Sequence, residues 1–182
     1  MRRLSAVILL TLASTAVLAG CGGSKSSGVT AASYVKSICG AVGPFEKDVA
    51  TRSTALSKLS ASNPTQGKKA LQDFLSAIVS DTNKTVSDLK AAGTPKVANG
   101  KQIAATLVKA FTELHGALQQ AESKANSLPT SSATAFKTAA QSLGTSVQSS
   151  MSSIGSSLNG LKSPDLAKAA AKDSTCKSLA TG

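Results

Sequence analysis

Residues 103–129 read IAATLVKAFTELHGALQQAESKANSLP, and the spacing inside that stretch decides the fold. Ile103, Leu107, Phe111, Leu114, Leu118, Ala121, Ala125 and Leu128 recur at steps of three and four. At 3.6 residues per turn such positions line one side of a helix, whereas a half-buried strand would alternate in steps of two. Pro129 follows the last of them and cannot continue a helix.

Working outward, the same pattern recurs on both sides. Leu71, Leu75, Ile78, Thr82, Val86 and Leu89 form a second stripe that stops at Ala92-Gly93-Thr94-Pro95. A glycine just past a helix adopts the left-handed conformation cheaply, and a proline two residues on blocks continuation. Nearer the N-terminus, Tyr34, Ile38, Val42, Phe45, Val49, Leu56 and Leu59 form another stripe, with Arg52 standing at the one missed step. Pro44 interrupts it, and a kink or break is expected near residues 40–44.

Toward the C-terminus, Phe136, Ala140, Leu143, Val147, Met151, Ile154, Leu158 and Leu161 make the fourth stripe. No charged residue occurs from 138 to 161, and Gly144 and Gly155 each weaken a helix by about 1 kcal/mol relative to alanine. Order in that segment has to come from packing. Its Ser and Gly residues make either a low-complexity solvent face or a surface that another helix can approach closely. A capping serine with proline at the first helical position, Ser163-Pro164-Asp165, announces a last short helix that buries Leu166, Ala169 and Ala170. Short links make sequential helices antiparallel neighbours. The expected fold for residues 31–182 is therefore all-α, an antiparallel up-down-up-down four-helix bundle with a kinked first helix and a short C-terminal return helix.

The first 20 residues are of another kind. Arg2 and Arg3 precede an apolar run over residues 4–18 and a small-residue end at Ala19-Gly20, the layout of an export signal. A membrane span needs about 20 predominantly apolar residues, and this run is shorter and diluted by Ser5, Thr11, Ser14 and Thr15. Leu18-Ala19-Gly20-Cys21 resembles the lipobox of bacterial lipoproteins: an aliphatic residue, two small ones and a cysteine. The resemblance implies that the Cys21 thiol accepts a diacylglyceryl group as a thioether and that cleavage makes Cys21 the N-terminus. It also implies anchoring on the outer face of the cytoplasmic membrane. Burying acyl chain contributes about 0.8 kcal/mol per CH2, so one chain holds marginally and two hold stably. The alternative is an ordinary secreted protein in which Cys21 is incidental. GGSKSSGVT, residues 22–30, has the composition of flexible coil, and residues 21–30 read as a tether.

Exported proteins meet an oxidising environment, in which the remaining cysteines are expected to pair. In an up-down bundle the fourth helix ends at the pole where the first begins, which brings Cys39 and Cys176 together; two unpaired thiols are the alternative. The order of features also resembles that of small secreted lipoproteins of high-GC Gram-positive bacteria. It rests on the lipobox, Cys39, AAGTPKVANGK at residues 91–101, Phe111, the Leu-Pro-Thr turn at 128–130 and Cys176. That resemblance implies a lipid-anchored helical domain facing the cell wall and brings no catalytic residues with it.

The chain carries 20 basic against 9 acidic side chains, a formal charge of +11. Such an excess favours anionic surfaces: acidic headgroups or envelope polymers. Nucleic acid is a poor fit, since Arg52 is the only arginine beyond residue 3 and aromatic residues are scarce. No catalytic, metal or cofactor site is expected. His115 is the single histidine, flanking the apolar stripe, and a metal needs several convergent ligands. No G-x-S-x-G elbow occurs, and GSSLNGLKS at 155–163 fails as a phosphate loop because Leu161 separates glycine from Lys162. Glu46 and Asp48 form the closest acidic pair but point to different helical faces. Only a convergence of Glu113, His115 and Glu122 in one cleft would favour an enzyme. The expected role is a non-enzymatic binding or structural module of unknown partner, either a protein or an anionic envelope polymer. The alternatives are a carrier holding an apolar small molecule or lipid between its helices, and electrostatic attachment to anionic wall polymers.

Overall fold

A computed structural model describes residues 28–57, 63–158 and 161–181. Among them lie four long helices, α1 (Ala31–Ser57), α2 (Pro64–Ala91), α3 (Gly100–Ala125) and α4 (Ala133–Leu158), followed by α5 (Pro164–Ala170) and α6 (Ser174–Thr181). Cys21, the signal-like residues 1–20, most of the tether and Leu59 lie outside the described residues.

Short polar side chains set most of the helix starts. The first turn of a helix has N–H groups without intrahelical partners, and a Ser, Thr, Asn or Asp oxygen just before it can accept from one. Thr30 Oγ1 does so for Ser33, Asn63 Oδ1 for Gln66, Ser132 Oγ for Ala135, Ser163 Oγ for Leu166 and Asp173 Oδ1 for Cys176. Proline stands in the first turn of both α2 and α5, where its missing N–H costs nothing. At the other end of α2, Gly93 has φ of 74°, the left-handed turn that the Gly-Thr-Pro signal requires.

The first helix has no break. Pro44 lies inside α1 on its exposed side, and Gly40, whose carbonyl loses its partner to the proline ring, is exposed too. Water can serve that carbonyl, so the helix crosses the site intact. The return segment also departs from expectation: it is two short helices, not one, because Asp173 caps a second start immediately after α5.

The long helices pack in sequence, α1 on α2, α2 on α3 and α3 on α4, with α4 also touching α2. The core joins Leu75 and Ile78 of α2, Leu114, Leu118, Ala121 and Ala125 of α3, Leu128 after it, and Phe136 and Leu143 of α4. Phe45 and Val49 of α1 pack against its side, with Phe45 and Phe111 meeting edge to face at 6.0 Å. The end where α2 begins is tied to the α3–α4 turn by Lys68 Nζ donating to the Leu128 carbonyl (3.2 Å) and Gln72 Nε2 donating to Asn126 Oδ1 (2.7 Å). The second neighbour of α1 is the α5–α6 pair, which packs along it.

The fourth stripe is buried at Phe136 and Leu143 but fails at Met151, which is 48% exposed. At about 100° per residue, Met151 falls at the edge of the stripe, on the flank away from Ser146 and Ser150, which face α3. One reason α4 holds to the bundle is a close approach at its start. A Cβ on Gly67 of α2 would sit 2.8 Å from the ring of Phe136, so the ring occupies the space a side chain would need. Gly144, by contrast, is exposed with open space around its missing Cβ. Gly144→Ala should therefore raise the stability of the domain, by up to about 1 kcal/mol, while Gly67→Ala displaces Phe136 and lowers it. Thermal unfolding followed by circular dichroism separates the two, and a rise in Tm for Gly67→Ala would contradict the packing described.

Candidate functional site

Two junctions bring chemistry-bearing side chains together, and both involve α1. At the first, a disulfide joins Cys39 to Cys176, with Cα atoms 5.2 Å apart across 137 residues of sequence. Cys176 is buried at the start of α6, its sulfur 3.9 Å from the Val35 carbonyl, and Leu179 one turn on lies against Gly43. This bond sets α6 along the N-terminal half of α1.

At the second junction, a row of charges crosses from α1 to α2. Arg52, the residue at the missed step of the first stripe, donates from Nε to Asp48 Oδ2 one turn back. On its other side Asp48 faces Asp81 of α2. Asp81 Oδ2 is buried and finds no donor among the described residues. The group opposite it is another carboxylate, an acceptor when ionised, so the two can hydrogen-bond only by sharing a proton. Their environments say which one keeps it. The Arg52 guanidinium, helped by the bond to Asp81, holds Asp48 below the usual carboxylate range. Burial, then the bond to Asp48, pushes Asp81 up. Of the two, Asp81 is the one whose surroundings favour holding a proton, and Asp48 the one whose surroundings favour ionisation.

Sequence reasoning missed this pair. It weighed Glu46 against Asp48, neighbours in sequence, whereas the partner lies on the next helix. The usable signal was Asp81 itself, beside the fully buried Thr82, with Arg52 intruding on an otherwise apolar stripe.

The other sequence candidates stay apart. On α3, His115 and Glu122 are seven residues apart and share a side, but Glu113 lies about half a turn away and pairs with Lys109 at 3.7 Å. Among the described residues no cluster of three His, Cys, Asp or Glu side chains could hold a metal ion. Between α3 and α4 a shallow pocket lined by Gln120, Lys124, Leu143 and Ser146 among others holds about 20 Å³. That is room for about one water, far below the several hundred Å³ of a small-molecule site. No described helix is long and apolar enough to cross a membrane. No protein-family model, curated protein or solved structure matches this chain.

The Asp48–Asp81 pair has opposite linkage on its two sides. Asp81 binds its proton more tightly folded than unfolded, so its contribution is present at low pH and is lost as pH rises through its raised pKa. Asp48 is the reverse: its contribution is lost as pH falls through its lowered pKa. Asp81→Asn, whose amide can donate permanently to Asp48, should melt above the wild type at pH 7, with the gap closing as pH falls toward about 4. A gap independent of pH, measured by thermal melts across that range, would contradict proton sharing.

Proposed function

We propose that this protein is an exported lipoprotein, anchored through Cys21 on the outer face of the cytoplasmic membrane. Its helical domain serves there as a non-enzymatic binding or structural module. The observation that carries the reading is Leu18-Ala19-Gly20-Cys21 at the end of a short apolar run that begins with Arg2 and Arg3.

Two features of the domain support it. The Cys39–Cys176 disulfide suits an oxidising compartment and is at odds with a reducing one. The chain leaves the bundle toward Cys21 at a fixed place, since Val29 N donates to the Thr94 carbonyl (2.9 Å) and Lys96 N donates to the Val29 carbonyl (2.8 Å). Residues 28–30, the end of the stretch read as tether, thus belong to the folded domain, and 21–27 lie outside the described residues.

A binding role is favoured over chemistry by what the fold does with its polar side chains. Asp48 faces Asp81 between two helices, Glu113 pairs with Lys109 along α3, and most of the exposed charge is lysine. The partner on this reading is a protein or an anionic component of the envelope. The carrier alternative draws no support from the α3–α4 pocket.

Intact mass of the protein extracted with detergent from bacterial membranes tests the anchor. The expected species begins at Cys21 and carries at least two acyl chains, and Cys21→Ser should move the protein from the membrane fraction to the medium. An unmodified Cys21 thiol in the membrane-derived protein would contradict the reading.

A further inference from the structure

The lysines are not placed evenly with respect to the point where the chain exits. The bridge of Val29 to Pro95 fixes residue 28 at the end of the bundle where α1 starts, α2 stops and α3 starts. Lys90 stands in the last turn of α2, Lys96 in the link, Lys101 in the first turn of α3 and Lys36 in the second turn of α1, all exposed. Lys172, also exposed, lies in the α5–α6 turn, four residues before the cysteine that is bonded to Cys39 and lies against Val35. None of these five lysines forms an ion pair among the described residues.

Two acidic groups at this end have partners. Asp88 pairs with Lys84, and Asp173 accepts the Cys176 N–H. At the opposite end the lysines are partly committed: Lys68 donates to the Leu128 carbonyl and Lys69 pairs with Asp73. Among the described residues, five lysines without an ion pair thus surround the exit, while Lys124 and Lys137 stand without one at the opposite end.

We propose that this end of the bundle, presenting Lys36, Lys90, Lys96, Lys101 and Lys172, is a docking surface for anionic phospholipid headgroups. The proposal rests on the anchor reading for its geometry. Residues 21–27 extend at most about 25 Å, so a domain held at Cys21 keeps this end facing the headgroups and within a few Debye lengths of them. Each lysine brought near an anionic bilayer strengthens partitioning about fivefold. The favoured orientation stands the long helices up from the membrane and leaves the opposite end and the uncharged flank of α4 directed outward.

The test uses the full chain with vesicles of phosphatidylcholine, with or without phosphatidylglycerol, in a sedimentation assay at low salt. The readout is the ratio of binding to the two vesicle types, because the apolar N-terminal segment contributes to both. Combining Lys90→Glu, Lys101→Glu and Lys172→Glu should lower that ratio on the order of 100-fold. The matched set at the other end, Lys69→Glu, Lys124→Glu and Lys137→Glu, should change it little. The milder Lys→Gln set at 90, 101 and 172 should act in the same direction by a smaller factor, which keeps the test valid if charge reversal disturbs folding. Equal losses from both ends would overturn the proposal in favour of diffuse net charge. Tighter binding to soluble polyglycerol phosphate than to the anionic vesicles would overturn it in favour of a wall polymer. The anchor is judged separately, by acylation of Cys21: the lysine variants should remain acylated and membrane-bound in cells. A chain that prefers anionic vesicles but lacks acylation would sink the anchor alone.

Discussion

The Cys39–Cys176 disulfide is the constraint on which the placement of α5 and α6 along α1 depends. Of the long helices only α2 lies along α1, and the other side of α1 is covered by α5 and α6, two helices of 7 and 8 residues. Helices that short do not persist in water on their own. They are held by the bond at Cys176, by Leu179 against Gly43 and by the Ser163 and Asp173 caps. Closing 137 residues of chain contributes about 5 kcal/mol in the loop-entropy account, a large fraction of a small domain's net stability.

The rest of the molecule is built differently. The buried cluster belongs to α2, α3 and α4, and its largest elements interlock directly, down to the ring of Phe136 resting on Gly67. Against that body α1 is held by Phe45 and Val49 on the core and by the disulfide-bound C-terminal pair, while Asp48 faces Asp81 across to α2. The second of these depends on conditions, since the disulfide is lost under reduction. Stability should accordingly be uneven along the chain, with α1 and the C-terminal helices at the low end.

Much of this was legible in the sequence because periodicity and caps are local signals. The stripes on α2 and α3 matched the buried residues closely, and Gly93 with Pro95 marked the turn between them. The misses arose where a local rule met a non-local neighbour. Pro44 does not break α1, because the carbonyl it orphans faces water. Met151 keeps helical spacing with its neighbours yet is exposed, since no described helix covers that flank of α4. The second start at Asp173 was available as a capping signal but hidden in an alanine-rich run. The Asp48–Asp81 pair needed the register between two helices, which a stripe does not contain. Val29 was hidden by the Gly/Ser composition around it and is held by backbone bonds that composition does not encode. Of the candidate sites, the paired cysteines were readable once the up-down topology put Cys39 and Cys176 at one pole, while Cys21 lies outside the described residues.

A fixed exit point with a disulfide beside it suits a domain held at one end, as the proposed lipid anchor would hold it. The central structural claim is that the disulfide secures α5, α6 and the start of α1 to a body that does not need them. Hydrogen exchange read by mass spectrometry, on the oxidised and the reduced protein, tests it most directly. Reduction should remove protection from residues 31–43 and from α5 and α6, while α2, α3 and α4 keep theirs. Uniform loss of protection across all the helices, or no change at all, would contradict it.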